Sequence, residues 1–214
     1  MAVYGVDNPL YLRKLTGIGS DVNGARYYAE EIERIIVPRV TTDRSWVLLN
    51  VEGMCEDHSI VFVHNNLQPQ VIYSWLKDYE DLILVCGMPE TVSKVQHLGR
   101  AVYLPLSVDV AEVESYRREK DRDTCYVGRR SKLRIAPVPS GTDIISGVYR
   151  DILLRKLAHY RRAYAVGRCA IEARILGCEV LPFDKRYPDP SIWRVVDSRD
   201  AAAMLQGLID GIDG

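Results

Sequence analysis

Gly167 and Arg168 stand side by side at the head of the stretch GRCAIEARILGCEVLPF, residues 167–183. These residue types suit phosphate. A helix opening there would leave its first amides without intrahelical acceptors and its positive dipole end exposed, so it can hold an anion. Gly167 lets the backbone approach that anion closely, and Arg168 adds a charged fork. Glu172 comes four residues after Arg168, about one helical turn on, where a carboxylate can accept hydrogen bonds from ribose hydroxyls. Gly177 stands where a helix-ending glycine would, and CEVLPF reads as a buried strand. The same spacing also suits an ordinary helix followed by a strand, because one Gly-Arg pair and one Glu form a weak signature.

A second basic group, Arg129, Arg130 and Lys132, lies in GRRSK directly after the strand-like TCYVG at 124–128. Open α/β sheets bind ligands at the carboxyl ends of their strands, so this turn is either a ligand contact or a solvated basic loop. His64 ends the apolar run SIVFVH. Its imidazole titrates near neutrality and could take a proton from a hydroxyl, or simply cap the strand. His58 and His159 have less claim to such a role. Asp121 and Asp123 spell a DxD pair but sit in a charged linker, so no essential metal is expected. The histidines (58, 64, 97, 159) and cysteines (55, 86, 125, 169, 178) share no zinc-ligand spacing. Five scattered cysteines with no CxxC pair read as reduced core residues of a cytoplasmic protein.

The elements that must position these groups follow a repeated unit. Buried strands are predicted over residues 46–51, 59–64, 81–87 and 100–109, and a first short strand over 2–6. Helices are predicted over 24–36, 69–79 and 88–99. Gly17, Gly19 and Gly24 make a turn before the first helix, with Asp21 or Asn23 as its cap. Alternation of this kind signals a parallel sheet with helices outside. It breaks in the charged segment VAEVESYRREKDRD, and a boundary falls near 107–122. The second half repeats the grammar: a strand over 124–128, a strand or edge segment in LRIAPVPSG, a short strand in DIISGV and a long amphipathic helix over 150–165. The Gly167 helix and its strand come next, then a strand or edge in WRVVDS and a helical C-terminus.

Composition narrows the function classes. The 214 residues are 47% apolar and 27% charged with net charge −1, as in a soluble globular protein. No global basic field recruits nucleic acid or membrane, despite the local runs YRREK, GRRSK and YRRAY. No run is long enough to span a bilayer, and the N-terminus lacks a signal-peptide core.

Four stretches, in order, resemble the C-terminal half of GT-B-fold glycosyltransferases of the family-4-like type. YLPLSVD (103–109) is similar to the crossover between that fold's two domains. CYVGRRSK (125–132) resembles the strand and basic loop that open its nucleotide domain. DIISGV with the following helix resembles the next segment, and GRCAIEARILGCEVL resembles the "EAma.G.PVi" signature. Upstream, VFVHNN, LILVCGMPETVSK and GIGSDVNGA resemble parts of the acceptor domain. The likeness covers most of residues 17–210.

The resemblance implies an α/β chain of two Rossmann-like lobes with parallel sheets, GT-B-like. A reduced N-terminal acceptor-side lobe would span 1–107 and a nucleotide-sugar lobe 108–214. It implies metal-independent transfer of a sugar from a nucleotide-sugar donor such as a UDP-sugar, with no separate cofactor. Arg129 and Lys132 would hold the diphosphate, and Gly147 and Val148 would border the base. Gly167, Arg168 and the amides of Cys169 and Ala170 would meet phosphate or sugar, Glu172 would bind the ribose, and His64 would act at the acceptor or donor sugar. The chain departs from the family in three ways: it is short, it lacks the crossover Asn-Gly, and Tyr164 stands eight residues before Glu172 where the family has a first glutamate. The alternative expectation is a non-catalytic Rossmann-like protein for nucleotide binding or assembly. A homodimer would cover apolar surface left by the small lobe.

Overall fold

A computed structural model describes residues 22–48, 55–64, 68–134 and 136–214. The strand read over 2–6, the turn at Gly17 and Gly19, and the end of the run 46–51 lie outside the described residues. The chain divides into two compact units. Residues up to Pro105 belong with Ser198–Gly214, and Leu106–Asp197 form the second unit.

The first unit holds a four-stranded parallel sheet in the order β1-β2-β3-β4, with β1 Ser45–Val47, β2 Ser59–Val63, β3 Ile83–Cys86 and β4 Arg100–Tyr103. Ile60 pairs with Ile83, and Val63 with Cys86. Every residue of β2 and β3 is buried, which is why these strands are unbroken apolar runs rather than alternating ones. Helix α1 (Val22–Glu31) runs into a π turn, Ile32–Ile36, and a single 3₁₀ turn, Val37–Arg39, that carries Pro38. The helix expected over 69–79 is two pieces, α2 (Pro69–Ile72) and a 3₁₀ segment (Ser74–Asp78). The break falls at Tyr73, whose side chain is fully buried and whose hydroxyl accepts the His64 amide at 2.8 Å. Helix α3 (Pro89–Val95) precedes β4.

The second unit has the parallel order β6-β5-β7-β8, with β5 Arg122–Val127, β6 Asp143–Ile145, β7 Tyr160–Tyr164 and β8 Glu179–Leu181. Its helices are α4 (Val110–Glu114), α5 (Arg150–Leu157) and α6 (Arg168–Ile175). The long helix expected over 150–165 is therefore a correction: its second half is β7. Leu154 and Leu157 are the buried residues of α5, and Ile152, expected on the apolar face, is 38% exposed. Tyr160 and Ala163 turn inward while Arg161 faces solvent. Ala163 pairs with Cys125 on one side and Val180 on the other. A strand that completes ladders on both sides gains more than a propensity pattern shared by helix and strand can specify.

Two more sequence expectations fail. The described residues of LRIAPVPSG form no strand; a 3₁₀ turn, Arg130–Arg134, begins it and two prolines follow. WRVVDS contributes a single parallel bridge, Asp197 to Val108, instead of a strand.

Helix α7 (Ser198–Asp213), read from the sequence as part of the second lobe, belongs to the first unit. It buries Ala201, Ala202, Leu205 and Ile209 and packs on the π turn of α1. Ser198 Oγ donates to Glu31 at 2.6 Å, and Arg44 Nη2 donates to Asp213 at 2.6 Å. The whole is α/β, with two sheets of parallel strands consistent with a Rossmann-like fold. Among the described residues no helix is long and apolar enough to cross a membrane.

Candidate functional site

All four strands of the second sheet are parallel, so their carboxyl ends share one edge. The loops after Val127, Ile145, Tyr164 and Leu181 emerge there together. From β5 the chain first goes outward to β6, then crosses back to β7 on the other side of β5. In a doubly wound sheet such a reversal opens a crevice between the two strands where the order switches, and ligands bind there. Arg129 and Lys132 follow β5; Gly167 and Arg168 follow β7. The two basic groups picked out in the sequence thus lie in the loops on either side of the switch point, at one edge of the sheet.

Local chemistry shapes each loop. Gly128 has φ +147, and a Cβ there would meet Tyr126 Oη at 2.9 Å. Tyr126 is fully buried and its hydroxyl donates to the Arg129 carbonyl at 2.6 Å, which pins the turn. Gly167, the residue capping α6, has φ +64 and ψ −142, a combination essentially confined to glycine. A Cβ at Gly167 would meet nothing within 4 Å, so the requirement is one of backbone conformation. The Ala170 amide, expected to face a ligand, instead turns back onto the Gly167 carbonyl at 2.9 Å. Gly147, exposed with φ +69, makes the turn between β6 and α5, and Val148 is half-buried beside it.

The charges converge on Cys169. Burial pushes its thiol up to about 12; Glu172 adds to this, while Lys132, Arg168 and Arg129 oppose it. Desolvation lowers the Lys132 ammonium from its ordinary value, Arg129 and Arg186 push the same way, and Cys169 and Asp184 resist. Desolvation also lowers Arg129, although much of that residue's surface is exposed. Asp184 is 2% exposed and committed to Arg186, which reaches it with Nε at 2.9 Å and Nη2 at 2.5 Å. That pairing holds the Asp184 carboxyl below the usual carboxylate range. Among the described residues no acid lies within ion-pair distance of Lys132.

Glu172 is 4% exposed. Arg150 Nε donates to its Oε1 at 3.1 Å, and Arg150 Nη1 donates to Glu112 at 2.6 Å. Sequence reasoning missed Arg150, Glu112, Tyr126 and the Asp184–Arg186 pair. A signal for Arg150 existed: an arginine at the first position of a helix opposes the dipole and needs a carboxylate partner. Tyr164, eight residues before Glu172, ends β7 and meets the Phe183 ring edge-on at 6.3 Å.

The remaining sequence candidates lie elsewhere. His64 follows β2 in the first unit, with its ring 5.4 Å from that of Tyr28. Asp123 is on β5 rather than in a linker, where it pairs with Arg162, and Asp121 pairs with His159 Nδ1 at 2.8 Å. Among the described residues no three His, Cys, Asp or Glu side chains are grouped to hold a metal. The cysteines form no disulfides, and Cys86, Cys125 and Cys178 are buried.

The carboxyl edge of the second sheet thus carries Arg129, Lys132 and Arg168 in its loops, and a buried carboxylate, Glu172, in the helix that follows β7. No family model, curated protein or solved structure matches this chain.

Proposed function

We propose that the protein is a GT-B-like, two-lobed glycosyltransferase that moves a sugar from a nucleotide-sugar donor to an acceptor without a metal. The observation that carries this reading is the placement of Arg129 and Lys132 after β5 and of Arg168 after β7, on either side of the switch point, with Glu172 buried in the helix that Arg168 opens. The diphosphate lies between the turn after β5 and the start of α6, contacting Arg129, Lys132, Arg168 and the Cys169 amide. Gly147 and Val148 border the base, and a Glu172 oxygen takes the ribose hydroxyls. As the glycosidic C–O bond breaks, charge builds on the distal phosphate. Cations fixed in advance in a partly dry crevice stabilise that charge with little reorganisation.

Calorimetry with UDP, GDP and ADP tests the reading. One of the three binds the parent, and Glu172→Gln weakens it about tenfold, the loss of a hydrogen bond to a charged group. Absence of binding by all three sinks it. Tyr164 in place of the first glutamate favours a second reading, a nucleotide-binding subunit without catalysis. Slow release of sugar from a bound nucleotide-sugar separates the enzyme from that subunit.

A further inference from the structure

We infer that Arg150 is a positioning residue that aims one oxygen of Glu172 at the ribose and makes this site selective for ribonucleotides; the inference rests on the diphosphate reading above. Arg150 is the first residue of α5, Glu172 sits in α6, and Glu112 sits in α4. One guanidinium therefore ties three helices. Its Nε takes Glu172 Oε1 at 3.1 Å and its Nη1 takes Glu112 Oε1 at 2.6 Å. The side chains of Arg150 and Glu172 are 12% and 6% exposed, so neither charge is left to bulk water. Glu112 is in turn seated by the cap of α4, where its amide donates to Asp109 Oδ1 at 3.3 Å.

A glutamate has three rotatable side-chain bonds, and one hydrogen bond from a rigid planar donor removes most of that freedom. With Oε1 occupied, the second oxygen has a set direction. Among the described residues no donor reaches Oε2. The remaining acceptor capacity suits hydroxyl donors, and the vicinal diol of a ribose supplies two. A 2′,3′-dideoxynucleotide would cover that oxygen without giving it a donor, and sites built to bind a hydroxyl reject analogues lacking it. Arg150 thus acts on selectivity through Glu172, without touching the diphosphate contacts at Arg129 and Lys132.

The test is equilibrium calorimetry on the full chain. The ligands are whichever of UDP, GDP and ADP binds most tightly, its 2′,3′-dideoxy counterpart, and inorganic pyrophosphate. The parent prefers the ribonucleotide about tenfold or more. Arg150→Met binds both nucleotides with the weaker affinity and keeps the parental affinity for pyrophosphate. Arg150→Lys, which keeps a charge but not the fork, restores part of the preference. If Arg150→Met fails to fold by circular dichroism, Arg150→Lys and Glu112→Gln carry the test, each reducing the preference without changing pyrophosphate binding. Parental discrimination in the folded variants, or an equal loss of pyrophosphate affinity, overturns the role of Arg150. A parent that binds nucleotide without preferring ribose overturns it too and leaves the diphosphate reading standing. A parent that binds no nucleotide overturns both.

Discussion

Lys132 is a half-buried cation whose ammonium is destabilised by lost hydration and by two neighbouring arginines. A fold does not gain from such a group, whereas an anion site does, because the charge is already desolvated when the phosphate arrives. The two consequences oppose each other in one substitution. Lys132→Met is expected to weaken nucleoside diphosphate binding about tenfold or more while leaving the unfolding free energy unchanged or higher, within ~1 kcal/mol. Calorimetry and urea denaturation read the two effects. A loss of stability with no loss of affinity would make Lys132 an ordinary structural residue. At this scale the strand-end placement of Arg129, Lys132, Gly167 and Arg168 was legible in the sequence, since residue type and strand-end position are local properties. The sequence did not name the partners of Arg150, which lie 38 and 22 residues away.

At the scale of elements, the C-terminal end of α7 is held by an ionic clasp. Arg44, 2% exposed, takes Asp213 and approaches Asp81 Oδ2 at 3.1 Å. His58 Nδ1 meets Asp81 at 2.7 Å and its Nε2 meets Asp43 at 3.2 Å. His58 and Asp81 both have left-handed backbones, φ +63 and +50, a strain held where a network compensates it. Hydrogen bonds that the imidazolium donates to Asp81 and then to Asp43 raise the His58 pKa, and Asp81 and Asp213 are lowered through His58 and Arg44 respectively. A raised histidine stabilises below its unfolded value and loses that contribution as pH climbs through the folded one. Depressed carboxylates stabilise above their unfolded value and lose the contribution as pH falls. The clasp is therefore strongest between about pH 4 and about pH 6.5. His58→Asn, which tolerates the left-handed backbone, is expected to lower Tm more at pH 5.5 than at pH 9. An equal drop at both pH values would show that the imidazolium contributes nothing. None of this clasp was visible in the sequence, where His58 stood in a loop between two strands. Strand β7 was hidden for a related reason: YRRAY continues the apolar spacing of α5, and only pairing with β5 and β8 distinguishes strand from helix.

For the whole molecule, the first unit is completed by the last residues of the chain. Leu205 and Ile209 are buried, and each large aliphatic side chain so placed stabilises by about 1.5–3 kcal/mol. Removing residues 198–214 exposes the π turn of α1 and strips Arg44 of Asp213. Deletion is expected to destabilise the first unit by several kcal/mol on that scale and to spare the second. Hydrogen exchange checks it: β1 to β4 lose protection while β5 to β8 keep theirs, and uniform loss would mean that the units fold as one. The repeated strand–helix grammar, the parallel sheets and the basic loops were legible in the sequence alone, because burial on both faces of a strand writes an unbroken apolar run and a loop keeps its polar residues. Three things were settled only by tertiary structure: the β6-β5-β7-β8 order that brings the loops after β5 and β7 to one edge of the sheet, the pairing of Arg150 with Glu172, and the return of α7 to the first unit. Each depends on contacts between residues far apart in the chain, and such contacts leave no periodicity for a local pattern to reveal.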